Sequence, residues 1–276
     1  MTASRLLVDG LVPLLLLLAV VEWLVVRRRS GVVYDWRESL ASLGVAAGHR
    51  LGGGVGLLLL RPVFEALWTH RLTSIPLDRP WALALLLGGV ELAYYWQHRL
   101  SHSVRWLWAS HAVHHTSQQI TVSAAYRLAW TDLVSGTPFF VAPLVVLGFA
   151  PSAVLVTVGV VVAYQFWLHT ELVPALPWFD AVFNSPSNHR VHHATNAPYA
   201  GRNFGGVLVV FDRLFGTYAS ERPGEPRRYG LVVPLESYDP LVIAFHEWAA
   251  LLRDVRRSRS PREALGACFG RVRSQR

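Results

Sequence analysis

Nine of the chain's 12 histidines fall between His98 and His193, and their spacing is what could do chemistry. His98 and His102 stand four apart (HRLSH), His111, His114 and His115 read H-x-x-H-H, and His189, His192 and His193 repeat H-x-x-H-H. On a helix, residues three and four apart share a face, so each cluster presents its imidazoles in one direction. Three such clusters converging would supply eight nitrogen donors. That is more than one four- to six-coordinate ion can use, and about right for two ions with open positions. Imidazole suits zinc, copper, iron and nickel alike, while a structural zinc needs only a closed shell of four ligands. Two metals surrounded by nitrogen and opening towards a membrane suit oxygen activation better. Soluble di-iron bundles use Glu-x-x-His pairs instead. The one cysteine, Cys268, excludes an intrachain disulfide and a thiolate metal site.

These clusters need a scaffold, and the composition points to a bilayer. Apolar residues make up 52% of the 276 and charged residues 16%, against about a quarter charged in ordinary soluble domains. The net charge of +8 is carried by arginine, since the chain has no lysine. Arginines flank the apolar runs and crowd the C-terminal tail (Arg253, Arg256, Arg257, Arg259, Arg262). The positive-inside rule and anionic head groups explain this placement, and nucleic acid is not an expected partner. Leu11 to Val26, followed by Arg27, Arg28 and Arg29, reads as a retained membrane helix, because a cleavable signal carries its charge in front. Leu40 to Leu60 is apolar and glycine-rich, interrupted by His49 and Arg50, and Trp81 to Trp96 is apolar around Glu91. Leu133 to Ala150 and Ala153 to Trp167 form a pair joined at Pro151-Ser152, each short of the ~20 residues that span a bilayer.

The fold class expected is therefore all-α, a polytopic membrane helix bundle of four to five segments with a cytosolic, histidine-rich helical cap. If Arg27 to Arg29 are cytosolic, counting the crossings brings every histidine cluster to that same face. Arg61, Arg71 and Arg79 then lie in an outer loop, against the charge rule. After His169 the hydropathy falls. Asn203 to Gly216 contains a β-like run bounded by glycines, Tyr238 to Val255 reads as an amphipathic helix, and the tail from Arg256 reads as disordered. The arginine-only, Ala-, Val- and Leu-rich usage points to a GC-rich bacterium, hence a plasma membrane. Glu91, seven residues before His98 on the same helical face, is a candidate to accept an Nδ1–H from a ligand or to pair with an arginine. Tyr94, Tyr95 and the tryptophans read as interface belt and packing. His49, His70 and His246 lie outside the clusters.

The chain resembles the fatty acid hydroxylase and sterol desaturase superfamily, membrane di-iron oxygenases of lipids. The pattern is H-x3-H (His98, His102), H-x2-H-H (His111, His114, His115), a lone histidine in FWLHTEL (His169) and H-x2-H-H in SPSNHRVHHATN (His189, His192, His193). NFGG and FDRLFGT, with Asn203 and Asp212, are similar too. The resemblance covers roughly residues 80–220, between N-terminal membrane helices (1–79) and a C-terminal amphipathic helix with basic tail (221–276). It implies the nine histidines as ligands to two irons, with O2 as co-substrate and zinc as a substitute in purified protein. Glu91, Gln165, Asn203 and Asp212 are implied as residues behind the ligands. Gln165 is a departure, standing where some hydroxylases have a further histidine one turn before His169. The resemblance also implies hydroxylation or desaturation of a fatty acyl, sterol-like or ether lipid. No cytochrome-b5-like segment is present, so electrons are expected from a separate ferredoxin- or cytochrome-type donor. The competing expectations are a zinc-dependent membrane metallohydrolase or a non-redox metal-binding membrane protein. A transporter would spread its histidines along the membrane segments, which this chain does not.

Overall fold

The computed structural model describes residues 3–28, 34–222 and 224–272, with side chains in the first helix from Leu16 onward. Arg29 of the expected charge flank and residues 273–276 of the tail lie outside the described residues. Among the described residues the structure is helical, without a strand. Its elements are α1 (Ala3–Arg28), α2 (Trp36–Thr69), α3 (Pro80–Ser101), α4 (Arg105–His111), α5 (Asp132–Ser135), α6 (Ala142–Leu147), α7 (Pro151–Tyr164), α8 (Pro177–Asp180), α9 (Pro186–His193), α10 (Val210–Leu214), α11 (Pro240–Arg257) and α12 (Pro261–Phe269).

Asp35 starts α2 by accepting the Arg37 amide, and the helix runs 34 residues, about 50 Å at 1.5 Å per residue. Its glycines have a specific use. A Cβ on Gly48 would lie 2.0 Å from the Trp130 ring and one on Gly52 2.8 Å from the Trp130 carbonyl. The indole Nε1–H of Trp130 in turn donates to the Val45 carbonyl at 2.7 Å. The glycine-rich face is therefore a seat for Trp130, which fixes the chain leaving the second histidine cluster. Leu86 and Val90 of α3 pack with Leu144, Val145, Phe149, Val154 and Val161 into an apolar core shared by α3, α6 and α7.

Two stretches, Trp36–Thr69 and Pro151–Leu168, are long and apolar enough to cross a membrane, and only 17% and 22% of their most apolar windows are buried. Leu51 and Leu58 are each 75% exposed. A continuous apolar surface of this kind is tolerated against lipid and disfavoured against water.

Three sequence expectations are corrected. The first half of the expected hairpin is broken into α5, a 3-10 turn over Thr137–Val141 and α6, because Gly136 (φ 83°) and Pro138 and Pro143 interrupt the helix. The β-like run forms one isolated bridge, Phe183 with Leu208. Its amides at Val207 and Leu208 are taken by the Glu91 carboxylate, and α10 begins at Val210. The tail is not disordered as far as Val272. Ser260 caps α12 by accepting the Glu263 amide, while the Glu263 carboxylate accepts the amide of Arg259 just before the cap. Val272 then packs with Trp108, Ala112 and Leu231.

Candidate metal centre

Five elements carry the nine histidines to one place. His98 lies in the last turn of α3 and His102 caps it. His111 closes α4, and His114 and His115 lie in the 3-10 turn His114–Thr116. His169 follows the 3-10 turn that ends the α7 stretch. His189, His192 and His193 lie on α9, which Ser185 caps by accepting the Asn188 amide.

The nine sort into two groups that cut across the sequence clusters. His98, His102, His111, His115 and His192 form one, and His114, His169, His189 and His193 the other; within each, one ring nitrogen per residue lies within 4.8 Å of all the others. Neighbours in sequence part because successive residues on an α-helix are about 100° apart, and on a 3-10 helix about 120°. So His192 and His193, and likewise His114 and His115, face different groups.

The distances within a group have a chemical meaning. In the five-histidine group, the Nε2 atoms of His111 and His115 stand 3.2 Å apart and those of His115 and His192 3.3 Å. In the four-histidine group, Nε2 of His169 is 3.2 Å from that of His114 and 2.9 Å from that of His189, and His193 is 3.1 and 3.0 Å from the same two. Two nitrogens bound at right angles to one ion at ~2.1 Å would stand ~3.0 Å apart. Several of these nitrogens are bare lone pairs. His98, His169 and His192 direct Nδ1 at the carbonyls of Phe204, Gln165 and Arg202, at 2.9, 2.9 and 3.0 Å. That fixes the tautomer and leaves Nε2 as an acceptor. The His98 Nε2 is buried and has no hydrogen-bond partner. A buried lone pair aimed into a cluster of others is costly unless something electron-poor sits between them. The residues present therefore fit a pair of metal ions.

Protonation agrees. Burial first, and repulsion from neighbouring imidazoles second, hold His111, His115, His189 and His193 well below the usual imidazole range. Burial brings His114 to about 4 and His192 to about 3. All six are neutral at pH 7, as ligands must be.

The four other flagged residues stand behind this cage. Glu91 accepts the Val207 and Leu208 amides at 3.0 and 2.8 Å, so its partners are backbone amides rather than a ligand imidazole or an arginine. Asp212 accepts the Phe204 and Gly205 amides and the Thr217 hydroxyl, each at 2.7 Å. Asn203, at φ 56°, donates to the Asn188 and Ala219 carbonyls, tying α9 to the following loop. Gln165 donates to the Val161 carbonyl and accepts from the Tyr94 hydroxyl at 2.7 Å.

Sequence reasoning missed two arginines. Arg127, 2% exposed, donates to Thr116 beside His115, and to Ser42 and Glu38 on α2. Arg190, 3% exposed, lies inside the last cluster and holds α9 to Glu221 and to the Thr170 and Val173 carbonyls just after His169. For Arg190 the available signal was its place inside a histidine box, between His189 and His192; Arg127 carried no such signal.

Comparison with known proteins gives the same outline. The fatty acid hydroxylase model matches residues 83–217. The chain is 33% identical to the alkylglycerol monooxygenase of Homo sapiens over 236 residues, covering 85% of this chain and 52% of that protein. It is 33% identical to the ornithine lipid hydroxylase OlsE of Rhizobium tropici over 142 residues, covering 50% of this chain and 43% of that protein. With the cholesterol 25-hydroxylase of Rattus norvegicus the identity is 27% over 224 residues, 74% of this chain and 70% of that protein. The chain spans about half the length of the alkylglycerol monooxygenases it matches. No solved structure matches it. With its histidine pattern intact across the matched segment, the chain belongs to the fatty acid hydroxylase family.

Proposed function

We propose that this chain is an integral membrane oxygenase that holds two irons in the nine-histidine cage and uses O2 to hydroxylate or desaturate a lipid. The observation that carries the reading is the division of buried, neutral imidazoles into two convergent groups, one with five donors and one with four. The names of the relatives supply the substrate class, since an alkylglycerol, an ornithine lipid and cholesterol share hydrocarbon and little else. The lightly buried apolar helices α2 and α7 support a bilayer setting, with the cage on its cytosolic face and a bacterial plasma membrane as its place.

Bound iron would supply the one-electron chemistry that couples reduction of O2 to oxidation of a C–H bond. Hydroxylation then needs two electrons and two protons per turnover beyond the lipid and O2, delivered through a separate ferredoxin- or cytochrome-type donor. The chain's own residues do the rest. The histidines bind, and the Phe204, Arg202 and Gln165 carbonyls orient three of them.

Nitrogen donors hold zinc as readily as iron, so the test reads metal and product together. Cells making the chain, grown under isotopic dioxygen, are expected to contain a lipid heavier by one labelled oxygen, or one lighter by two hydrogens if it desaturates. His192→Ala should lose the product, and its metal content should fall. Full activity in that variant with unchanged metal, or one zinc per chain and no oxygen uptake in the wild type, would overturn the assignment.

A further inference from the structure

Between α2, α3 and α7 lies an apolar cavity of about 570 Å³, within the ~300–1,000 Å³ typical of ligand sites. Its wall on α7 runs from Pro151 to Val162, about 16 Å of helix at 1.5 Å per residue. Tyr94 forms the end nearest the histidines. The Tyr94 ring packs edge-on against His98, with centroids 5.3 Å apart, and its hydroxyl donates to Gln165, whose backbone carbonyl orients His169. Tyr94 thus touches a ligand residue of one metal group through its ring and reaches a ligand residue of the other through Gln165. The far end reaches Arg61 and Glu65, an exposed ion pair on α2.

We infer that this cavity seats the hydrocarbon of the lipid, with the carbon to be oxidised held at the Tyr94 end and Tyr94 and Gln165 acting as positioning residues. This rests on the oxygenase reading above. Three observations favour hydrocarbon over any polar ligand. Most of the wall between its two ends is valine, leucine and phenylalanine, with Gln97, Asp132, Thr137 and Ser152 as its polar members. Two of its walls, α2 and α7, belong to the stretches long and apolar enough to cross a membrane, so entry needs no passage through water. At the inner end, the Tyr94 hydroxyl and the Gln165 side chain satisfy each other and present no unmet partner. An extended chain advances about 3.3–3.6 Å per three backbone bonds, so a straight alkyl chain seated here would extend about 13 bonds beyond the oxidised carbon.

The experiment is photolabelling of the full, metal-loaded chain in lipid nanodiscs. One probe is a palmitic acid bearing a mid-chain diazirine and the other a cholesterol bearing a ring diazirine, with labelled residues mapped by mass spectrometry. Val154, Val158 and Val161 line the cavity, while Val156 and Val160 on the same helix are 44% and 47% exposed. Labelling of the lining residues is expected, with a drop of at least tenfold in Val158→Trp and in the milder Val158→Phe. The outward control Val160→Trp should keep the wild-type interior labelling. Whichever probe labels the interior names the lipid class, a chain or a ring. Labelling confined to the outward residues, or interior labelling undiminished in both Val158 variants, overturns the proposal. Metal content is measured on the same samples: two metals with no interior labelling defeats the cavity alone, whereas interior labelling without metal defeats the oxygenase reading instead.

Discussion

Asp212→Asn tests whether the acids behind the cage act through the backbone. Asp212 is fully buried, and all three of its neighbours donate: the Phe204 amide and Thr217 hydroxyl to Oδ1, and the Gly205 amide to Oδ2. Such a site needs a group that only accepts. Asparagine keeps one oxygen for two of the donors and turns an NH2 towards the third. The loss is one charge-assisted bond, about 1.5–3 kcal/mol, together with one unpaired buried donor, about 1–3 kcal/mol. The two bonds that survive lose their ionic assistance as well. A cost of roughly 3–5 kcal/mol is enough to displace the Phe204–Gly205 backbone, and the Phe204 carbonyl is what orients His98 at 2.9 Å.

Loss of such a supporting partner typically weakens metal binding about 10–100-fold. The weakening should be confined to the five-histidine group, because Asp212 makes no contact through Phe204 with the other. The assay is chelator titration of metal-loaded protein in detergent, with metal per chain read by mass spectrometry and folding followed by thermal unfolding. One metal should leave at a roughly 10–100-fold lower chelator concentration than in the wild type, and the other at the wild-type concentration. Thr217→Val is the control, removing one donor that does not lead to His98. If both metals of folded Asp212→Asn leave as in the wild type, the path from Asp212 through Phe204 to His98 carries nothing. If Thr217→Val loses the same metal to the same extent, the effect is general loosening.

Two further outcomes follow from the same geometry. His114→Ala and His115→Ala should each lower metal content from two towards one per chain; His114→Ala with His193→Ala should stay near one, whereas His114→Ala with His115→Ala should fall towards zero, and equal content in the two double variants refutes the division. Burial alone would raise the Glu221 carboxyl, but hydrogen bonds and charge from Arg190 hold it below its ordinary 4.5, so its stabilisation is present above that pH and is lost as pH falls through the lower folded value; metal-free Glu221→Gln should unfold about 2 kcal/mol more easily at pH 7, with the gap to wild type closing in strong acid, and a gap that stays constant with pH rejects the ion-pair account.

The histidine cage was legible in the sequence, and its division was not. Spacing of three and four is a statement about one helix, and it holds in full only for α9. The cluster of His111, His114 and His115 breaks at Ala112, where α4 ends and a tighter turn begins. Both H-x-x-H-H motifs nonetheless divide alike, the pair four apart (His111 with His115, His189 with His193) going to one group and the histidine three along (His114, His192) to the other, and a spacing that puts all three on one face does not show it. The broken half of the hairpin was misread for a similar reason. Apolar content signalled burial in lipid, but Gly136, Pro138 and Pro143 govern the backbone there. Arg127 and Arg190 were missed because charge was read as surface, whereas each is buried with its donors satisfied.

The acids teach the more general point. Glu91 and Asp212 were flagged by register and by resemblance, and in the structure both lie next to the cage, yet neither touches an imidazole. Both bind amides of a single segment, Phe204 to Leu208, from opposite ends. That segment also packs against α3, since a Cβ on Gly206 would lie 3.1 Å from the Glu91 carboxylate and 3.2 Å from the Tyr94 ring. Two buried carboxylates thus clamp one loop, and the loop offers a neutral carbonyl to His98. A carboxylate placed directly on the ligand would raise its basicity and add negative charge beside the metal. Placing it one peptide further back keeps the orientation and leaves the cage a shell of neutral donors. Any metal pair held there would meet only neutral imidazole donors from these nine residues.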